Sequence, residues 1–408
     1  MKCRHCHAEL NVPFIDLGTA PPSNAYLNEA DLHRPEKYFP LRVLVCTDCW
    51  LVQTEDFADA ADLFSADYAY FSSFSTTWLR HAEHYVAAMI RRFNLGPGSL
   101  VAEIAANDGY LLQYVKLHDI PCFGVEPTHS TAEAARAKGL HIVEDFFGAK
   151  LANRLAEQGR QTDLVAANNV LAHVPDINDF VSGFASLLKP TGVATFEFPH
   201  LLNLVNESQF DTIYHEHFSY LSLTAVTSIF ESNGLMVFDV EELSTHGGSL
   251  RVFAQRRDSH PYSSTKSVGA MLETEHTAGI TTPYYYRKVQ ANAELIKNDF
   301  LDFLIQAKRE DKKVIAYGAA AKGNTLLNFA GVRPDLLRFV VDRNPAKQGK
   351  YMPGSRIPIV AEHRIKDECP DYVVILPWNL RTEVVAQLDY VRKWGGRFVT
   401  AVPHLEVA

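Results

Sequence analysis

The feature that most limits the fold is the alternation, between about residues 80 and 255, of short apolar segments with helical stretches. Segments 99–105, 122–127, 164–170 and 192–198 are runs of a few apolar residues and read as buried strands, whereas 129–138 and 176–188 carry helical spacing. Such alternation builds a doubly wound, mainly parallel α/β sheet with helices on both faces. The pattern restarts at 312–324, 337–345 and 371–379, which predicts a second, smaller Rossmann-like α/β unit over 311–408. A polar stretch at 257–283 reads as a connection, and 284–309 is helical in pattern. The expected division is therefore 1–72, 73–258, a helical connection over 259–310, and 311–408. A chain of 408 residues is too long for one ordinary core.

The first division holds two Cys-x-x-Cys pairs, Cys3/Cys6 and Cys46/Cys49. Four thiolates in matched pairs complete a closed tetrahedral site, the pattern of a structural zinc. A catalytic zinc keeps an open position and usually a histidine. With four cysteines at hand, His5 and His7 read as surface residues. A nucleic-acid-binding ribbon would need more positive charge than Lys2, Arg4, Arg34, Lys37 and Arg42 supply. The whole chain has 39 basic against 48 acidic residues, a net charge of −9, which argues against nucleic acid or an anionic membrane as partner. No apolar run approaches the roughly 18 residues of a transmembrane helix. The N-terminus, MKCRHCHAEL, has no apolar stretch of the signal-peptide kind. The expectation is a cytoplasmic monomer with reduced thiols.

Strand 99–105 runs into Ala105-Ala106-Asn107-Asp108-Gly109 and then a helix. A tight turn at the carboxyl end of a first parallel strand opens the ligand crevice of such a sheet. Glu103 at the strand end suits a cationic or amino-acid part of a ligand. Glu126-Pro127 closes the second strand, where an acid grips ribose hydroxyls. Asp145-Phe146 sits where an acid and an aromatic flank an adenine. Asn168, Asn169 and His173 follow the fourth strand and would line the crevice. A dehydrogenase would show three spaced glycines to admit a pyrophosphate, but this turn has only Gly109, which suits a ligand without phosphates such as S-adenosylmethionine. Any one of these acids alone reads as a helix cap. Four such features in order, at the right strand ends, point to a methyl-donor site.

Tyr214-His215-Glu216-His217 gathers two histidines, an acid and a phenol within four residues, the kind of cluster that proton abstraction beside a carbonyl needs. If locally helical, Tyr214 and His217 share a face. A zinc peptidase would space its histidines four apart, and these are two apart.

Taken together, the double Cys-x-x-Cys, Glu-Ile-x-x-Asn-Asp-Gly, Val-Glu-Pro, Ala-Asn-Asn-Val-x-Ala-His-Val and Tyr-His-Glu-His-Phe-Ser-Tyr-Leu resemble the sugar C-methyltransferases of deoxysugar biosynthesis over essentially the whole chain. The resemblance implies an N-terminal structural zinc module, a class I methyltransferase domain and a C-terminal α/β domain. It also implies a 4-keto-6-deoxy sugar nucleotide as substrate (dTDP-linked favoured, GDP-linked possible) and S-adenosylmethionine as methyl donor. His217 would then remove the C-3 proton, with Tyr214 and Glu216 beside it, and Tyr70 or, next, Tyr68 of the Tyr-x-Tyr-x-Ser-Ser run would face the site. Relatives carry Gly-Ser where this chain has Ala105-Ala106, which an alanine accommodates if φ stays negative.

In the last division, Tyr317-Gly318-Ala319-Ala320-Ala321-Lys322-Gly323-Asn324 follows a strand and opens a helix. Small residues there let backbone amides approach a phosphate and Lys322 neutralise it. Gly318, Ala319, Lys322, Asn324 and Asp342 are the expected contacts to the sugar nucleotide. The rival readings are an NAD(P)-linked sugar-nucleotide epimerase or reductase, weakened by the missing glycines, and a non-catalytic zinc-ribbon adaptor, in which the Tyr-His-Glu-His run has no role.

Overall fold

The computed structural model describes residues 1–57 and 71–408. Among these the central sheet has seven strands, in the order Leu235–Leu243, Ser249–Arg256, Leu188–Pro199, Thr162–Asn168, Val101–Ile104, Cys122–Val125 and Ile142–Val143. The last five run parallel, and Ser249–Arg256 runs antiparallel to both of its neighbours. Val101–Ile104 is buried at every residue, as a strand covered on both faces by helices must be. The helix Thr76–Phe93 shows why such covering helices form. Ser75 caps it by accepting from the Trp78 amide, and Ala82, Tyr85, Val86 and Met89, at helical spacing, bury one face. The doubly wound sheet expected from the alternation is present.

The C-terminal sheet runs Ile359–Val360, Val340–Val341, Val314–Tyr317, Tyr372–Ile375, Arg397–Thr400 and Glu406–Val407, with only the last strand antiparallel. The stretch 257–283 departs from the expected plain connection. It contains the helix Lys266–Ala278, whose buried Glu275 accepts hydrogen bonds from His200 Nε2 (2.7 Å) and from the amides of Leu223 (2.6 Å) and Thr224 (2.8 Å). That carboxylate satisfies first-turn amides of the helix Leu223–Ser232, so the segment is fastened to the central domain. A long helix, Val289–Arg309, follows.

The N-terminal sheet is antiparallel, with Val12–Ala20, Phe39–Val45 and Val52–Thr54 joined by a fourth strand, Ser219–Tyr220, from the central domain. The module is wedged between the two α/β units. Leu10, Leu44 and Leu51 pack in one core with Leu221 and Val226, whereas Phe14, Ile15 and Val43 pack in another with Phe300, Leu304 and Leu326. His5 corrects its reading as a surface residue. It is buried, Nδ1 lies 2.8 Å from Asn178 Oδ1, and it ties the zinc knuckle to the central domain.

Candidate active site

The four N-terminal cysteines converge, their sulfurs all within 4.8 Å of one another. Cys3 Sγ and Cys49 Sγ lie 3.6 Å apart, and Cys6 Sγ and Cys46 Sγ 3.4 Å apart. A disulfide requires about 2 Å, whereas four thiolates about 2.3 Å from a tetrahedral ion sit about 3.8 Å apart. The donor set fits a closed zinc site. Gln53 Nε2 donates to Cys3 Sγ at 3.2 Å, which orients a ligand sulfur from outside the tetrahedron.

At the carboxyl end of Val101–Ile104, Ala105, Asn107 and Gly109 all adopt positive φ (58°, 48° and 74°). Ala105 therefore lies in the left-handed region, contrary to the negative φ that would suit an alanine. The turn is bound from several sides. Glu126 accepts from the amides of Asn107 and Thr128, both at 2.9 Å, and Asn107 Oδ1 accepts from the Ser72 amide at 2.9 Å. Lys138 reaches the Asp108 carbonyl at 2.6 Å, and the buried Asp108 Oδ1 has no partner. Glu103 is wholly buried, its burial raises its pKa well above the carboxylate range, and among the described residues neither carboxylate oxygen has a hydrogen-bond partner. Pro127 follows Glu126 at the rim. Asp145 pairs with Arg154 at 3.0 Å, and Phe146 beside it is 64% exposed.

The Tyr214–His217 segment is a turn, not a helix, closed by the His217 amide on the Tyr214 carbonyl at 2.9 Å. The turn still brings the two side chains together. Tyr214 OH lies 2.7 Å from His217 Nε2, and His217 Nδ1 lies 2.8 Å from the Thr212 carbonyl. A carbonyl can only accept, so the proton sits on Nδ1 and Nε2 keeps its lone pair, which the phenol engages. The His173 ring meets His217 edge-on at 4.6 Å, with His173 Nδ1 donating to the Glu216 carbonyl at 2.8 Å. Burial, then the neighbouring His173, holds the His217 pKa well below the ordinary value, and burial brings His173 down to about 4. Glu216 is absent from this pair. Its side chain points to the N-terminal module, where Oε1 accepts from the Asn24 amide and side chain at 3.3 and 3.1 Å. Tyr70 and Tyr68 lie outside the described residues.

Three groups reach this cleft without having been read from the sequence. His246 is held by Asn169, whose Nδ2 lies 3.2 Å from its Nε2, and burial lowers its pKa to about 4. It precedes Gly247, where φ is +91° and a Cβ would lie 2.5 Å from the Trp378 ring. Only glycine lets the C-terminal domain close there. Trp378 Nε1 donates to the buried Asp211 at 2.8 Å. A signal for the first was present in the His246-Gly247-Gly248 run, which demands a tight backbone turn.

In the C-terminal turn, one backbone amide is already taken by a side chain. The Ala319 amide donates to Asp342 Oδ2 at 2.8 Å, and the Asn344 amide to Oδ1 at 2.8 Å, so a carboxylate fills the seat an anion would take. Gly318 packs on Pro377, and the Ala319 carbonyl accepts from Tyr26 OH at 2.6 Å. Asn324 is fully buried with neither amide atom partnered. Lys322 turns away from Asp342 toward Trp378 and Asn379.

Residues 3–64 match a zinc binding domain, 78–240 a methyltransferase domain, and 244–403 the C-methyltransferase C-terminal domain. C-methyltransferase NovU of Streptomyces niveus is 32% identical over 406 residues, spanning 100% of this chain and 96% of its own. Among solved structures, magnesium protoporphyrin IX methyltransferase (ChlM) of Synechocystis with bound SAM aligns over 44% of this chain and 79% of its own, at 18% identity and a TM-score of 0.34. The PH0226 protein of Pyrococcus horikoshii aligns over 50% of this chain and 100% of its own, at 14% identity and a TM-score of 0.39. With three successive domain matches and a relative that is similar from end to end, this chain belongs to the C-methyltransferase family.

Proposed function

We propose that the chain methylates C-3 of a 4-keto-6-deoxy sugar nucleotide, dTDP-linked in preference to GDP-linked, in the cytoplasm, with His217 as the base. The observation that carries this reading is the Tyr214–His217 pair: Nδ1 is fixed on the Thr212 carbonyl, and the Nε2 lone pair faces a phenol that can pass on or orient a proton. Burial keeps the imidazole neutral at cellular pH, the state a base must start from. The C–H beside a ketone is acidic because the resulting enolate places charge on oxygen. His217 takes that proton, and His173 holds the ring edge-on in position.

S-adenosylmethionine, when bound, supplies an electrophilic methyl group. Glu126 keeps lone pairs beyond its two backbone bonds for ribose hydroxyls, Phe146 offers a ring face to adenine, and the orphaned Asp108 Oδ1 suits an ammonium donor. Asn107, Gly109, Pro127, Asp145, Asn168 and Asn169 complete that wall. The unpartnered amide of Asn324 is the C-terminal group best suited to the sugar nucleotide. The test is transfer of labelled methyl from S-adenosylmethionine to the sugar nucleotide, with the label located on carbon or oxygen. His217→Ala should abolish transfer and leave donor binding intact. Label on oxygen, or full activity of the variant, would refute the reading.

A further inference from the structure

The helix Ala321–Phe329 belongs to the C-terminal domain, yet its first turns face the catalytic loop. Thr325 Oγ1 donates to the Ile213 carbonyl at 2.8 Å, one residue before Tyr214. Lys322 lies three residues earlier, on the same helix face, and so is directed at the same cleft. Its ammonium is close enough to His217 and His246 to weaken the protonation of both.

Lys322 is also held in place without being neutralised. Nζ donates to Asn379 Oδ1 at 3.1 Å and sits over the Trp378 ring, 4.4 Å from its centroid. An amide and an indole fix an ammonium's direction and leave its charge intact. Among the described residues no carboxylate forms an ion pair with it; Asp211, the acid that acts on it, accepts from Trp378 Nε1 through Oδ2 and leaves its buried Oδ1 without a partner. The imidazoles around the cleft, His173, His217 and His246, are all kept neutral by burial. Lys322 is therefore a cation available to this cleft when negative charge develops there. The Ala319 amide, which a phosphate beside Lys322 would also use, is taken by Asp342.

We propose that Lys322 is a catalytic residue whose ammonium faces the substrate's carbonyl oxygen and stabilises the enolate. This rests on the reading of the substrate as a ketone with an acidic neighbouring C–H. As the proton passes to His217 Nε2, the C–H electron pair becomes the C=C bond and the carbonyl π pair moves onto oxygen. A pre-positioned cation there lowers the barrier without reorganising solvent.

Titration offers a readout that a structural role would not move. Desolvation brings the Lys322 pKa down to about 8, Asp211 opposing the shift, so the charge is present at neutral pH and lost just above it. The experiment measures kcat and KM for methyl transfer to a dTDP-linked 4-keto-6-deoxy sugar from pH 6.5 to 9.5, for wild type, Lys322→Gln and Lys322→Arg, each checked for folding by its melting curve. Lys322→Gln should lose roughly 100- to 1,000-fold in kcat with little change in KM. Lys322→Arg should restore part of that rate and remove the decline above about pH 8. A raised KM with kcat intact, or an alkaline limb unchanged in Lys322→Arg, overturns the proposal. Failure of the wild type to methylate this sugar would overturn the substrate reading and this proposal together, whereas an active wild type with an indifferent Lys322→Gln overturns the proposal alone.

Discussion

Thr54 Oγ1 donates to the carbonyl oxygen of His217 at 2.6 Å, so the last strand of the zinc module holds the backbone of the proposed base. The Thr54 amide also donates to the Phe218 carbonyl at 3.1 Å. Thr54→Val keeps the shape and removes the hydroxyl. Stability should fall by about 1 kcal/mol, and methyl transfer by roughly ten- to a hundredfold, since small misplacements of a reacting group are amplified in rate. Denaturant unfolding and kcat, measured on zinc-replete protein, check this. An unchanged kcat would mean the clamp is only structural.

The same path predicts what metal removal does. Cys3 is tied to Gln53 (3.2 Å), Gln53 pairs with Ser219, and Ser219 follows His217 by two residues. Stripping zinc with a chelator should accelerate amide exchange at Val52–Thr54 and at Ser219–Tyr220 together, before the central sheet opens. Exchange confined to the cysteine loops would count against this coupling.

Ala105 at φ +58° is in a conformation that costs an L-residue about 1 kcal/mol or slightly more. Ala105→Gly removes that strain but frees the unfolded chain. The net expectation is a gain of at most about 1 kcal/mol in unfolding free energy, with tighter binding of the methyl donor if the turn relaxes toward it. A loss of stability would show that the Ala105 methyl packs more than it strains.

Acid should destabilise the fold through its buried imidazoles. Burial lowers His173 and His246 to about 4 in the folded state, below the roughly 6.5 of an unfolded histidine. The unfolded chain therefore takes up protons first as pH falls, so stability present above pH 6.5 is lost progressively down to about pH 4. By pH 5 each histidine should account for about 2 kcal/mol. Urea unfolding at pH 7 and pH 5 should show a smaller loss for His246→Gln than for wild type; parallel losses would exclude His246 as a contributor.

Much of this was legible in local sequence. The strands ending near Glu103, Glu126 and Asn168 announce themselves as apolar runs closed by polar residues, and the cysteine pairs need only their spacing. What depended on tertiary placement was not legible. Glu216 sits between two histidines in sequence, but its side chain turns to Asn24 because the chain reverses at that turn. Asp342 looked like a ligand group and instead satisfies two backbone amides, since nothing in a strand-end aspartate distinguishes the two uses. Lys322 was visible as a cation after a small-residue turn. Its direction is set by contacts with Trp378 and Asn379, residues far along the chain whose meeting no local pattern encodes.

The strand Ser219–Tyr220 closes the N-terminal sheet on Val52–Thr54. During synthesis, the first three strands must therefore wait with an open edge until residues 219–220 leave the ribosome, an interval in which that edge can pair with other chains. A fragment ending before residue 219 would keep its cysteines and lose its fourth strand. The zinc module is first in the sequence, yet its sheet is completed only after more than half of the chain has been made.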